Sequence, residues 1–110
     1  MLHLTQASQI LLAVDAVDFR RGLDGLLSFC HQRLGIENTR SGQLFIFINR
    51  AHTLIRVLTY DGNGYWLATK RISRGRYQGW PKSAEHKVHP LLATELRRLL
   101  NQPLAFQART

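Results

Sequence analysis

Between Gly62 and Ala84 the chain has no acidic residue, although Lys70, Arg71, Arg74, Arg76 and Lys82 fall in that interval. Cysteine is almost absent too. The one thiol, Cys30, excludes an internal disulfide and any zinc site built on paired cysteines, and it fits a reducing cytoplasm. No apolar run approaches the ~18 residues of a membrane-spanning helix. The first residues lack the basic start, apolar stretch and cleavage site of a secretory signal. A single cytoplasmic domain is expected over 1–110, ordered from about 8 to 101, with a frayed tail at 102–110.

What the chain does have is positive charge, unevenly spread. Lys and Arg number 15 against 7 Asp and Glu, for a formal charge of +8. Before Ser41, Arg20, Arg21, Arg33 and Arg40 are matched by Asp15, Asp18, Asp24 and Glu37. From Ser41 to Pro90 only Asp61 and Glu85 oppose Arg50, Arg56, Lys70, Arg71, Arg74, Arg76, Lys82 and Lys87. Charge concentrated on one part of a small domain favours a polyanionic partner over mere solubility.

The fold class is α+β. Gln43–Ile48, Leu54–Tyr60 and Tyr65–Ile72 read as an antiparallel β-meander over about 43–72. The first of these strands is apolar on both faces and should be central. Asp61-Gly62-Asn63-Gly64 is a strong hairpin turn. Leu23, Leu26, Leu27, Cys30 and Leu34 make the stripe of a helix at about 19–34, capped by Asp18 and stopped at Gly35. Gly22 and Gly25 inside it suggest close approach of helix to sheet. Gln9–Val14 reads as a short edge or lead-in strand. Pro90 and the leucines at 91, 92, 96, 99 and 100 predict a C-terminal helix at about 90–101. Ser73–Pro81 is a loop or irregular edge, and Lys82–His89 is polar.

Catalytic patterns are missing. A two-metal nuclease clusters carboxylates that hold ions about 4 Å apart. Here Asp18 reads as a cap, Asp61 as a turn residue, and Glu37, Glu85 and Glu95 as polar surface. His86 and His89 have no ligand partner at metal spacing, and Cys30 lies on a core stripe. Gly62-Asn63-Gly64 is too short to cradle phosphate. No enzyme activity, metal or cofactor is expected.

What remains is a cation and aromatic constellation. The expected nucleic-acid contacts are Arg50, Arg56, Lys70, Arg71, Arg74, Arg76, Tyr77, Trp80 and Lys82. Guanidinium forks suit phosphate oxygens, and exposed aromatics stack on bases. Trp66, inside a strand, reads as a core residue. Trp80, beside Pro81, reads equally as a core anchor or a stacking platform.

Asp18 to Leu26 (DFRRGLDGL), Gly42 to Arg50 (GQLFIFINR), Ile55 to Tyr65 (IRVLTYDGNGY), Lys70 to Tyr77 (KRISRGRY) and Trp80-Pro81 together resemble the small TnpB-type protein of the insertion-sequence-sixty-six family. That protein is the product of the second reading frame and is distinct from the RNA-guided nuclease of the same name. The resemblance spans about residues 8 to 101. It implies a bacterial accessory protein of transposition, encoded beside a larger transposase. The chain departs from the family pattern at Tyr60, at Ser73, at Gln78-Gly79 and in the loop Ala51-His52-Thr53.

Two readings follow. In the first, a non-catalytic accessory factor binds DNA, at the element ends, through the arginine-rich surface. In the second, the chain is an adaptor that docks the partner transposase or forms a homo-oligomer without touching DNA.

Overall fold

The computed structural model describes residues 9–36, 42–82 and 85–102; of the frayed tail expected at 102–110, Gln102 is instead tied to Gln78, and the rest lies outside the described residues. Five strands form one mixed sheet: β1 (Gln9–Ala13), β2 (Gln43–Ile48), β3 (Leu54–Tyr60), β4 (Tyr65–Arg71) and β5 (Val88–Pro90), in the order β4-β3-β2-β1-β5. The meander β2-β3-β4 is as the sequence predicts, and a helix forms within each of the two stretches expected to be helical. Among the described residues no helix is long and apolar enough to cross a membrane.

Two expectations are corrected. β1 is not an edge strand. It lies beside β2 in parallel, with Leu12 opposite Ile46, and β5 pairs on its other side. Part of the polar stretch before the last helix therefore becomes a strand, because β1 still has an open ladder to fill. Pro90 belongs to β5, and the last helix, α2 (Ala93–Leu100), starts three residues later.

Alternation along β2 splits the core in two. Leu44, Ile46 and Ile48 join Ile10, Leu12, Ile55 and Val57 under Leu96 and Leu99 of α2. Phe45 and Phe47 join Ala13, Val17 and Leu58 under Leu26, Phe29 and Cys30 of α1 (Gly22–Gln32). Phe29 meets Phe47 edge-on, with ring centroids 6.2 Å apart. Burying each such side chain is worth about 1.5–3 kcal/mol, so β2, buried on both faces, is the element the domain is built around.

The start of α1 is sharper than a plain helix. Asp18 accepts from the Arg20 amide, and Phe19–Arg21 form a single 3-10 turn. Gly22, at φ +72°, joins that turn to α1, in a region only glycine enters freely. Nothing lies within 4 Å of where its Cβ would be. At Gly25 a Cβ would sit 2.2 Å from Cβ of Arg21. Neither glycine serves close approach to the sheet; one serves the bend and the other clears Arg21.

Candidate functional site

Strand direction decides where the cations meet. β1 and β2 run parallel, so the chain after Ala13 and the chain after Ile48 leave the sheet at the same end. β3 starts there and β4 finishes there. Val17 N–H donates to Ile48 O at 2.9 Å, which fixes the approach to α1 at that end. Val14 N–H donates to Lys87 O at 3.0 Å, which fixes the approach to β5. Three connections thus reach one end of the sheet: the one after β1 carries Arg20 and Arg21, the β2–β3 loop carries Arg50, and the stretch from the end of β4 to the start of β5 carries Arg71, Arg74, Arg76, Lys82 and Lys87.

The hairpin loop between β2 and β3 is built on Asn49. Its Oδ1 accepts from the amides of Thr53 and Leu54, both at 2.9 Å, and its Nδ2 donates to Thr53 Oγ1 at 3.0 Å. This holds Arg50 exposed on a rigid turn. The same loop grips the next segment, since Tyr77 N–H donates to His52 O at 2.7 Å.

Residues 72–80 form a strap whose anchors point inward and whose cations point outward. Ile72, Tyr77 and Trp80 are buried in the cluster under α2. Tyr77 Oη donates to Lys70 O at 3.2 Å, and Trp80 Nε1 donates to Ala13 O at 3.1 Å. Gln78 and Gln102 exchange two hydrogen bonds of 2.7 Å each. Between these anchors Arg74 and Arg76 are exposed, and Lys82 follows, also exposed.

The nine side chains expected to contact nucleic acid therefore divide. Arg50, Arg71, Arg74, Arg76 and Lys82 are exposed at the common end. Among the described residues, Arg50, Arg71, Arg76 and Lys82 form no ion pair. Arg56 does a structural job. Its Nη1 donates to Phe19 O at 2.8 Å, its Nε donates to Thr69 Oγ1 at 2.9 Å, and its guanidinium lies 4.7 Å from the centroid of the Phe19 ring. Lys70 caps the end of α2, donating to Leu100 O and, at 3.3 Å, to Asn101 Oδ1. That places its charge where the helix dipole is negative. Tyr77 and Trp80, at 2% and 7% exposure, cannot stack on a base. Burial pushes the Tyr77 hydroxyl above the usual phenol range.

Of the two tryptophans, Trp80 takes the core-anchor reading of its two, whereas Trp66, read as a core residue, is not in the core. Trp66 is 62% exposed, and its indole donates to Asp61 Oδ2 at 2.8 Å. Its position faces the α2 side of the sheet, beyond the reach of that helix. Asp61 also accepts from the amides of Asn63 and Gly64, and these bonds hold its carboxyl below the usual range. It sits in the β3–β4 hairpin, at the opposite end of the sheet from the arginines. At the cationic end Asp18 is held well below the carboxylate range by its hydrogen bonds with Arg20 and neutralises that residue.

Arg21 and Lys87 join the cationic end without having been selected from sequence. The signal that could have found them is the apolar run Gln9–Val14, then a helix, then Gln43–Ile48, which is the pattern of a parallel β-α-β crossover. Among the described residues no group of three or more His, Cys, Asp or Glu could hold a metal ion. Cys30 is buried, and burial pushes its thiol up to about 11.

Residues 8–107 match the family described as IS66 Orf2 like protein. The chain is 35% identical over 101 residues to the uncharacterized protein y4hO of Sinorhizobium fredii, covering 92% of this chain and 85% of that protein. It is 30% identical over 77 residues to the uncharacterized protein y4jC of the same organism, covering 70% of this chain and 65% of that one. No solved structure matches. By the family match and the extent of the first relative, the chain belongs to the IS66 Orf2-like family, whose members accompany the transposition of insertion sequences.

Proposed function

We propose that this chain is a non-catalytic accessory protein of transposition that binds DNA at the element ends through its cationic sheet end. The observation that carries the reading is the strap at 72–80. Buried Ile72, Tyr77 and Trp80 hold an irregular segment rigid and turn Arg74 and Arg76 outward, beside Arg50 and Arg71. Pre-positioned guanidinium groups bind phosphate at a smaller entropy cost than flexible ones.

The test is binding to a duplex carrying the element end, titrated from low to high salt. Log affinity should fall linearly with log salt, by about 0.9 per phosphate contact. The triple change Arg50→Ala, Arg76→Ala, Lys82→Ala should weaken binding to all sequences alike and lower that slope by about 2–3. A folded triple variant with unchanged slope sinks the reading.

A second reading has its own support. Tyr65 and Trp66, at 40% and 62% exposure, stand on an edge strand, and exposed aromatics of this kind anchor protein contacts. On this reading the chain docks the partner transposase. Capture of that transposase that survives both nuclease and high salt supports it.

A further inference from the structure

The two edges of the sheet differ. β5 has three residues and ends in proline, which blunts it as a template for another strand. β4 has seven residues, YWLATKR, and no proline. Its outer ladder can be read from the bonds at its two ends. Ile72 N–H donates to Thr53 O, and Asp61 N–H donates to Gly64 O. The residues bonded to β3 are thus 66, 68 and 70, and the backbone groups of Leu67, Thr69 and Arg71 turn outward. No strand among the described residues lies on that side.

We propose that β4 pairs antiparallel with β4 of a second copy of this chain, about a two-fold axis through Ala68. The register is dictated by the residues. Strands centred on Ala68 put Leu67 opposite Thr69 as a hydrogen-bonded pair, so the outward groups of both satisfy each other twice. The smallest side chain meets itself at the close, non-hydrogen-bonded position on the axis. Trp66 falls opposite Lys70 on the α2 face, and Tyr65 falls opposite Arg71 on the α1 face. Each aromatic is matched with a cation across the seam, and no cation faces another. Arg71 lies within reach of a cation–π contact with Tyr65, while the Lys70 ammonium stays on Leu100 O and its apolar stem is what meets Trp66. A shift of two residues along the ladder destroys this match, since Ala68 then stands opposite Trp66 or Lys70. The second copy is thus the occupant whose chemistry complements the strand. Symmetric closure uses both β4 edges and leaves outside only the short, proline-ended β5 edges. The proposal stands apart from DNA binding, and its salt dependence has the opposite sign. Two chains of charge +8 repel, so added salt strengthens the pair.

The test uses the full chain without nucleic acid. Sedimentation velocity should show a concentration-dependent dimer, tighter at 500 mM salt than at 50 mM, because the Debye length falls from about 14 Å to about 4 Å. Ala68→Lys, at an exposed position, should abolish the dimer by placing two cations on the axis. Trp66→Ala, which removes two symmetric contacts, should weaken it roughly tenfold. Ala68→Cys should give a disulfide-linked dimer on mild oxidation, and Ser28→Cys, exposed on α1, should not. Circular dichroism checks that each variant is folded. A chain that stays monomeric up to high concentration overturns the proposal. So does equal crosslinking of the two cysteine variants, or a dimer indifferent to Ala68→Lys. Loss of transposase capture by Ala68→Lys in a chain that is otherwise monomeric would give the edge to that partner and overturn it too.

Discussion

Arg56 separates a structural cation from those proposed to meet DNA. Its guanidinium donates at 2.8 Å to the carbonyl of Phe19 and lies 4.7 Å from that ring's centroid, and its side chain is half-buried. A hydrogen bond from a charged group is worth about 1.5–3 kcal/mol, and a cation–π contact at a partly exposed site adds ~0.5–1 kcal/mol. The second bond, to Thr69 Oγ1 at 2.9 Å, is exposed and adds little. Arg56→Met keeps the apolar stem and removes all three contacts, so it should cost about 2–3 kcal/mol. Arg56→Lys keeps the charge but cannot reach ring and both acceptors together, and should cost about 1–2 kcal/mol. Urea unfolding followed by circular dichroism reads this directly. With a slope of ~1.5 kcal/mol per molar, the midpoint of Arg56→Met should fall by roughly 1.5 M. The salt slope of DNA binding by either folded variant should match the unchanged chain. A midpoint shift under about 0.3 M, joined to a flatter salt slope, would refute the account and return Arg56 to the phosphates.

Two further outcomes follow from buried groups. Trp80→Phe keeps most of the ring but removes the 3.1 Å donor to Ala13 O, and should cost about 1–3 kcal/mol in the same urea assay; equal stability would show that the strap is not pinned there. Cys30, whose thiol is pushed up to about 11 from about 9, is neutral in the folded chain where the unfolded chain ionises. Its contribution is complete below the unfolded value and is lost as pH rises through about 11. Stability should therefore drop between pH 9 and 11 by roughly 2–3 kcal/mol more than in Cys30→Ala, and parallel curves would contradict it.

The local elements were readable because local chemistry makes them. Asp61-Gly62-Asn63-Gly64 turns where it should, and the apolar faces of Gln43–Ile48 announce a strand covered on both sides. What escaped the reading depends on strand order. Nothing within Gln9–Ala13 says that its neighbour is parallel, yet that decides which loops share an end. Trp66 and Trp80 show the same limit. A strand residue is exposed when its strand is the outermost one and the covering helix stops short. A residue in an irregular segment is buried when that segment crosses a sheet face. Two of the selected cations show a similar limit: Arg56 and Lys70 found a backbone carbonyl at Phe19 and at Leu100, partners far away in sequence.

The place of β1 has a consequence for synthesis. This strand, the first described element of the chain, lies inside the sheet, one place in from its edge, and the segment that closes its free side is Val88–Pro90. At ~5–20 residues per second, a ribosome needs roughly 4–15 s to get from one to the other. Until then the nascent polypeptide carries an unsealed ladder and a sheet face without its C-terminal helix. Messages truncated before residue 88 should accordingly yield protease-sensitive products, however complete their meander.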